Sequence, residues 1–200
     1  RMDLADLNND GKLDLVSETE SGVFLYRNIG NATQKFAFRR VEMLAGRASK
    51  PLDPLAWAIA DVDADGDQDV LAWDSEGALL YRNRHIAAPV SGTQLPAARG
   101  LLAESLLPEP VAGLPRLARG AIVRPLELTG DGVLDIVVLG DDGVVTLLLG
   151  DATDELQFET VMQAGPGDSP GVAIADLDGD AGLDVAVVAA SNGEVRVFTS

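Results

Sequence analysis

No cysteine occurs in the 200 residues, and there is a single histidine, His85. The first absence removes disulfide frameworks and thiolate metal sites, and leaves the compartment unreadable from redox chemistry. Together the two remove the ligands that zinc prefers. They also leave little for nucleophilic or acid–base catalysis: there is no Gly-x-Ser-x-Gly elbow, and His85 follows Arg84 in a polar stretch that suits a solvated loop better than a catalytic site. No enzyme activity is expected. Positive charge is scarce too, with 15 Lys and Arg against 32 Asp and Glu and a formal charge of −17. Such a charge repels phosphate backbones and anionic lipid surfaces, so nucleic acid is excluded as an expected partner. No apolar run approaches the roughly 20 residues of a membrane span. Aromatic residues amount to 4%, so any sugar-stacking platform would have to use Trp57, Trp73, Tyr26 and Tyr81. Those four alternate with apolar neighbours, for which core packing is the ordinary account.

What the chain does have is an acidic repeat. Four segments align: Asp6-Leu-Asn8-Asn-Asp10-Gly-Lys-Leu-Asp14, Asp61-Val-Asp63-Ala-Asp65-Gly-Asp-Gln-Asp69, Glu127-Leu-Thr129-Gly-Asp131-Gly-Val-Leu-Asp135 and Asp176-Leu-Asp178-Gly-Asp180-Ala-Gly-Leu-Asp184. Apolar stretches precede each one, and β-type runs such as Val70-Leu71-Ala72-Trp73 and Ile136-Val137-Val138-Leu139 follow. The last loop Asp precedes a hairpin glycine (Gly22, Gly77, Gly143) by eight residues in the first three segments, and Gly193 by nine in the fourth. Past that glycine, the first two segments share a tetrapeptide, Leu25-Tyr26-Arg27-Asn28 and Leu80-Tyr81-Arg82-Asn83. A more polar outer strand is predicted at Phe36–Val41 and at Leu156–Met162. Strand, acidic loop, strand, tight turn, strand and outer strand, repeated at this spacing, make blades of an all-β propeller. The expected blades are 1–50, 51–110, 111–165 and 166–200, the last without its outer strand, in a single segment of something longer. Residues 85–120, rich in Pro, Ala, Leu and Arg, show no convincing outer strand and are expected to form an insertion or long loop. Their arginines, between 99 and 119, suit a solvated insertion better than a protein-contact patch.

Oxygen side chains at loop positions 1, 3 and 5 converge on one centre, where a hard divalent cation cancels their repulsion. A carbonyl at position 7 and a carboxylate at position 9 complete a shell of calcium type, and glycine at position 6 allows the reversal. Magnesium demands a stricter octahedron. An EF-hand would close with Glu after twelve residues between helices, whereas these loops close at nine between strands. Asp, Asn and Gly favour turns without any ion, but four copies in register weigh against that account. Loop two and loop four each have four acidic ligand positions, and loop one has neutral Asn8 at position 3. Loop three departs furthest, with Glu127 and Thr129. Loop four has Ala181 in place of the position-6 glycine, which leaves its turn open to question.

Ala5-Asp6-Leu7-Asn8-Asn9-Asp10-Gly11 and Ile174-Ala175-Asp176-Leu177-Asp178-Gly179-Asp180 resemble the FG-GAP/VCBS repeat family of calcium-binding β-propellers. The Leu-Tyr-Arg-Asn strand is similar to bacterial members associated with ASPIC modules. The resemblance covers most of the chain apart from 85–120. It implies as ligands the side chains of Asp6, Asn8, Asp10 and Asp14; Asp61, Asp63, Asp65 and Asp69; Glu127, Thr129, Asp131 and Asp135; and Asp176, Asp178, Asp180 and Asp184. The carbonyls of Lys12, Asp67, Val133 and Gly182 would complete the shells, for up to four calcium ions. The literal Phe-Gly-Gly-Ala-Pro string is absent, so an integrin-like ligand role is not implied. Full propellers of this kind have about seven blades, so the partners expected are the remaining blades and a protein or glycan ligand. The expectation is a non-enzymatic binding or adhesion scaffold, extracellular at the cell surface, secreted or periplasmic. The alternative is the propeller domain of a secreted carbohydrate-active enzyme such as a polysaccharide lyase.

Overall fold

A computed structural model describes residues 1–83, 108–140, 144–151, 157–164, 171–188 and 193–199. His85 and Gly143 lie outside these residues, as does most of the 85–120 stretch. Among the described residues the structure is all-β, broken only by a single short 3-10 turn at Arg47–Ser49. Blade one comprises β1 (Met2–Ala5), β2 (Asp14–Thr19), β3 (Gly22–Asn28) and β4 (Phe38–Met43). Blade two comprises β5 (Ala56–Ala60), β6 (Asp69–Asp74), β7 (Gly77–Tyr81) and β8 (Glu109–Val111). In blade three are β9 (Ile122–Leu126), β10 (Asp135–Leu139), β11 (Val145–Asp151) and β12 (Gln157–Ala164), and in blade four β13 (Gly171–Ala175), β14 (Asp184–Val188) and β15 (Val195–Phe198). In each sheet the strands stand in chain order and pair antiparallel. The chain is a four-bladed β-propeller segment.

The outer strand β4 starts two residues later than predicted and extends two residues further, and β12, described from Gln157, likewise extends two residues past its predicted end. In blade two the prediction fails: 85–120 does contain an outer strand, β8, paired to β7 through Glu109↔Leu80 and Val111↔Ala78. Its three residues are too short to alternate, and central Pro110 lacks an amide donor, which only an edge strand tolerates.

Three apolar clusters fill the spaces between consecutive blades. Leu25 and Val16 pack with Trp57, Leu79 and Tyr81 between blades one and two. Leu71, Trp73 and Leu80 meet Val123, Ile136 and Leu148 between blades two and three, and Val137 and Leu147 meet Val185 and Val187 between three and four. Trp57, Trp73 and Tyr81 are fully buried, as core residues should be. The Trp57 indole donates to Glu18 Oε2 (2.9 Å), the Trp73 indole to the Pro115 carbonyl (3.0 Å), and the Tyr81 hydroxyl to the Ala45 carbonyl (2.7 Å). The second residue of each of the first three acidic loops plugs the gap to the following blade: Leu7, Val62 and Leu128 are buried in the three clusters in turn. Its counterpart on blade four, Leu177, is 52% exposed, together with Val195 and Val197 on β15.

Candidate metal centres

Each loop hangs between the end of a blade's first strand and the start of its second, at pairs such as Ala5↔Asp14 and Ala60↔Asp69. Position 1 folds the loop on itself. Asp61 Oδ1 and Oδ2 accept the amides of Asp65 (3.1 Å) and Gly66 (3.0 Å), and Asp6 does the same for Asp10 (3.1 Å) and Gly11 (2.8 Å). Asp176 accepts from Gly179 (2.6 Å) and Ala181 (3.1 Å), whereas Glu127 reaches only Gly130 (2.6 Å). At position 5, one oxygen of Asp10, Asp65, Asp131 or Asp180 accepts the amide of position 7, namely Lys12, Asp67, Val133 or Gly182.

Position 6 is left-handed in all four loops: Gly11, Gly66, Gly132 and Ala181 have φ of 80°, 92°, 80° and 75°. Ala181 therefore makes the same turn as the glycines, at the strain that a Cβ brings to this region. Position 4 is left-handed as well, through Asn9, Ala64, Gly130 and Gly179.

Position 9, expected as a ligand, is a structural staple. Asp14, Asp69, Asp135 and Asp184 are all fully buried. Asp69 accepts the amides of Val62 (3.0 Å) and Asn83 (2.6 Å), and Asp135 those of Leu128 (2.7 Å) and Gly150 (2.9 Å). Asp14 accepts the Asn28 amide (2.7 Å) and the Asn8 side chain (2.9 Å); Asp184 accepts the Leu177 amide (2.7 Å). Burial raises the pKa of Asp69 to about 7, against the pull of its two amide donors and with help from Asp63 and Asp65. Asp14 is raised as well, by burial first and then by Asp10 and Asp6. Asp65 is raised by burial and by its acidic neighbours.

The sequence hid the role of the repeated Leu-Tyr-Arg-Asn strand. In it the arginine reaches the acidic loop: Arg82 pairs with Asp63 and, at 3.4 Å, with Glu109, and Arg27 approaches Asp10 at 3.6 Å. The asparagine closes the loop, since Asn28 Nδ2 donates to the Leu13 carbonyl (3.2 Å) and Asn83 Nδ2 to that of Gln68 (3.1 Å). Asn83 Nδ2 also reaches the Leu7 carbonyl (2.7 Å), and Asn9 Nδ2 donates to Asp67 Oδ1 (2.6 Å), so loops one and two are tied together. The tetrapeptide's recurrence at one fixed distance after the loop was the available signal. Blade three has Gly150 at the asparagine position, where no Cβ fits beside the Leu134 carbonyl.

Carboxylate oxygens converge in two loops. Asp61, Asp63 and Asp65 form one triad and Asp176, Asp178 and Asp184 another, each with one oxygen per residue all within 4.8 Å of one another. Oxygens on opposite sides of one calcium ion stand roughly 4.6–5.2 Å apart, so both triads fit that ion. Among the described residues no such acidic triad forms in loop one, where Asn8 is turned onto Asp14, or in loop three.

The model of the FG-GAP-like repeat matches residues 6–72 and 128–187, more than half of the chain and all four acidic loops almost in full. The chain belongs to the FG-GAP-like repeat family. The two matched stretches leave out the 85–120 region, as the repeat pattern does. Among solved structures, this FG-GAP-like chain is similar to a lectin of Agrocybe aegerita described as specifically recognising non-reducing terminal N-acetylglucosamine, at 22% identity and a TM-score of 0.60. The alignment covers 94% of the chain and 46% of the lectin, so the chain spans less than half of that protein's length. At this identity the likeness shows the fold. No curated protein sequence matches the chain.

Proposed function

We propose that this FG-GAP-like segment is a calcium-stabilised, non-enzymatic scaffold that works outside the cell as a binding surface for a protein or glycan ligand. The observation that carries the calcium reading is the convergence of Asp61, Asp63 and Asp65, and of Asp176, Asp178 and Asp184, within 4.8 Å. Only oxygen ligands are present in these loops, which favours a hard ion, and a flexible nine-residue turn suits calcium better than magnesium. Millimolar calcium outside cells matches sites of modest affinity. The similarity to a lectin supports a glycan as ligand, and the calcium reading explains the carboxylates without a catalytic role.

Thermal unfolding in millimolar calcium, in chelator and in magnesium tests the reading. A site filled about a hundredfold above its Kd contributes about 2.7 kcal/mol, and about 1 kcal/mol shifts the melting temperature of a chain this size by about 2–4 °C. With two such sites, chelation is expected to lower the melting temperature by about 10–20 °C, with poor rescue by magnesium. Above pH 7 the effect is largest. As pH falls through about 7, the ion-free chain takes up a proton on Asp69 that the unfolded chain does not yet bind, which stabilises the ion-free form and narrows the gap. Equal melting temperatures in calcium and chelator at pH 8 would sink the proposal.

A further inference from the structure

At the end of the blades' first strands opposite the acidic loops lies a cavity of about 380 Å³, toward the small end of ligand pockets. Ala56 is on its wall and Ala60 leads into loop two; four residue steps of about 3.3 Å separate cavity and loop by about 13 Å. None of its residues belongs to an acidic loop, so a ligand bound in it would be held whether or not the loops take calcium.

The electrostatics of the wall invert those of the chain. Three of only 15 basic residues, Arg1, Arg119 and Arg124, face this cavity, and Glu18 is the one carboxylate among its lining residues. Glu18 Oε2 already accepts the Trp57 indole at 2.9 Å. The Arg1 guanidinium lies over the Trp57 ring, 4.7 Å from its centroid, which fixes it in place. Burial lowers the proton affinity of Arg1 and the nearby Arg124 charge adds to that, while Asp3 and Glu18 oppose it. Arg124, on β9, has no ion-pair partner among the described residues. Arg119 donates to the Pro54 carbonyl (3.1 Å) and to Asp53 Oδ1 (2.6 Å), but its pair with Asp53 is 56% and 82% exposed, so it exchanges readily with another anion. Like charges gathered around one half-open cavity favour an anion between them, and guanidinium forks match a carboxylate in two-point geometry.

We propose that this cavity binds a small organic carboxylate, held between Arg124 and Arg1, with Arg119 turning from Asp53 to join them. The size of the cavity limits the ligand to about that of a sugar acid. Glu18 competes with it.

Isothermal titration calorimetry on the full chain in millimolar calcium, with sodium glucuronate as probe and glucose as its neutral counterpart, tests the assignment. Glucuronate is expected to bind saturably, more weakly as salt rises, and glucose not at all. Arg124→Gln is expected to weaken glucuronate by about tenfold, the loss of one charge-assisted contact. Glu18→Gln should strengthen it, because the amide oxygen still accepts the Trp57 indole while the competing charge is gone. That gain does not depend on a destabilised variant. Absent saturable binding, equal binding of glucose, or an affinity that neither Arg124→Gln nor Glu18→Gln changes would overturn the proposal.

Discussion

Loop two and loop four carry the same formal charge on the same four ligand positions, and both gather three carboxylates around one point. Their surroundings differ. Loop two is held between neighbours: Val62 is buried toward blade three, Asn9 of loop one bonds Asp67, and Arg82 lays its guanidinium on Asp63. Loop four has exposed Leu177, a left-handed alanine at position 6 and, by strand register, Thr199 where blade two has Arg82. The spacing of acids gathers the carboxylates, and the residues contributed by other strands and blades set how firmly they are held and how much an ion would add. In loop two the protein supplies part of the counter-charge itself. In loop four, on the calcium reading, an ion would be the larger share of what offsets the repulsion.

The position-9 staples give the strongest test of that contrast. Asp69→Ala leaves the amides of Val62 and Asn83 without an acceptor inside the packed core, at about 1–3 kcal/mol for each buried donor. A loss of about 4 kcal/mol is expected in chelator at about pH 6, where metal binding plays no part and Asp69 is protonated, so that its removal relieves no buried charge. Asp184→Ala should cost less, since exposed Leu177 can turn its amide to water. Urea unfolding of both variants without calcium measures the two losses. Equal losses would show that neighbouring blades do not decide what the staple contributes.

A smaller effect separates the loops by their resident cation. Arg82→Gln removes the guanidinium from Asp63, and an ion entering loop two no longer displaces it. Partly exposed pairs contribute about 0.2–1 kcal/mol, so calcium affinity at loop two should rise by up to about fivefold while loop four is unchanged. Calcium titrations resolved by the chemical shifts of Gly66 and Gly179 can follow the two sites separately. A weakened loop two would mean that Arg82 orders the site and does not compete for it.

How much of this was legible beforehand depends on the range of each interaction. The four loops, their flanking strands and the hairpins were readable because they repeat and because each depends on residues close in sequence. The match to the FG-GAP-like repeat and the four sheets bear out that reading of family and fold. The roles of Arg82 and Asn83 were not readable, because they require knowing that the third strand of a blade returns beside its loop. The Asn83 bond to Leu7 spans two blades. Strand β8 escaped because a short edge strand with a central proline has no periodicity to detect. The left-handed position 4 was hidden as well, since Asn9 and Ala64 do not announce it as glycine would. The arginine-lined cavity joins residues from blades one, two and three, and no single stretch of sequence carries it.

Position 6 supplies the finest distinction between the loops. Ala181 adopts φ of 75° and Gly66 φ of 92°, and a Cβ at Gly66 would meet nothing within 4 Å. The two substitutions Ala181→Gly and Gly66→Ala therefore differ from their parents in backbone terms alone. Relieving an alanine of left-handed strain gains about 1–2 kcal/mol, and the extra freedom that glycine has in the unfolded chain takes back about 0.4–1 kcal/mol. Ala181→Gly should thus stabilise by about 0.5–1 kcal/mol, and Gly66→Ala should destabilise by a similar amount. Both effects should persist in chelator, since neither position contributes a ligand side chain. If the Ala181→Gly gain vanished once calcium was removed, the strain would belong to the ion-bound loop, and loop four would be shaped by its ion where loop two is shaped by its neighbours.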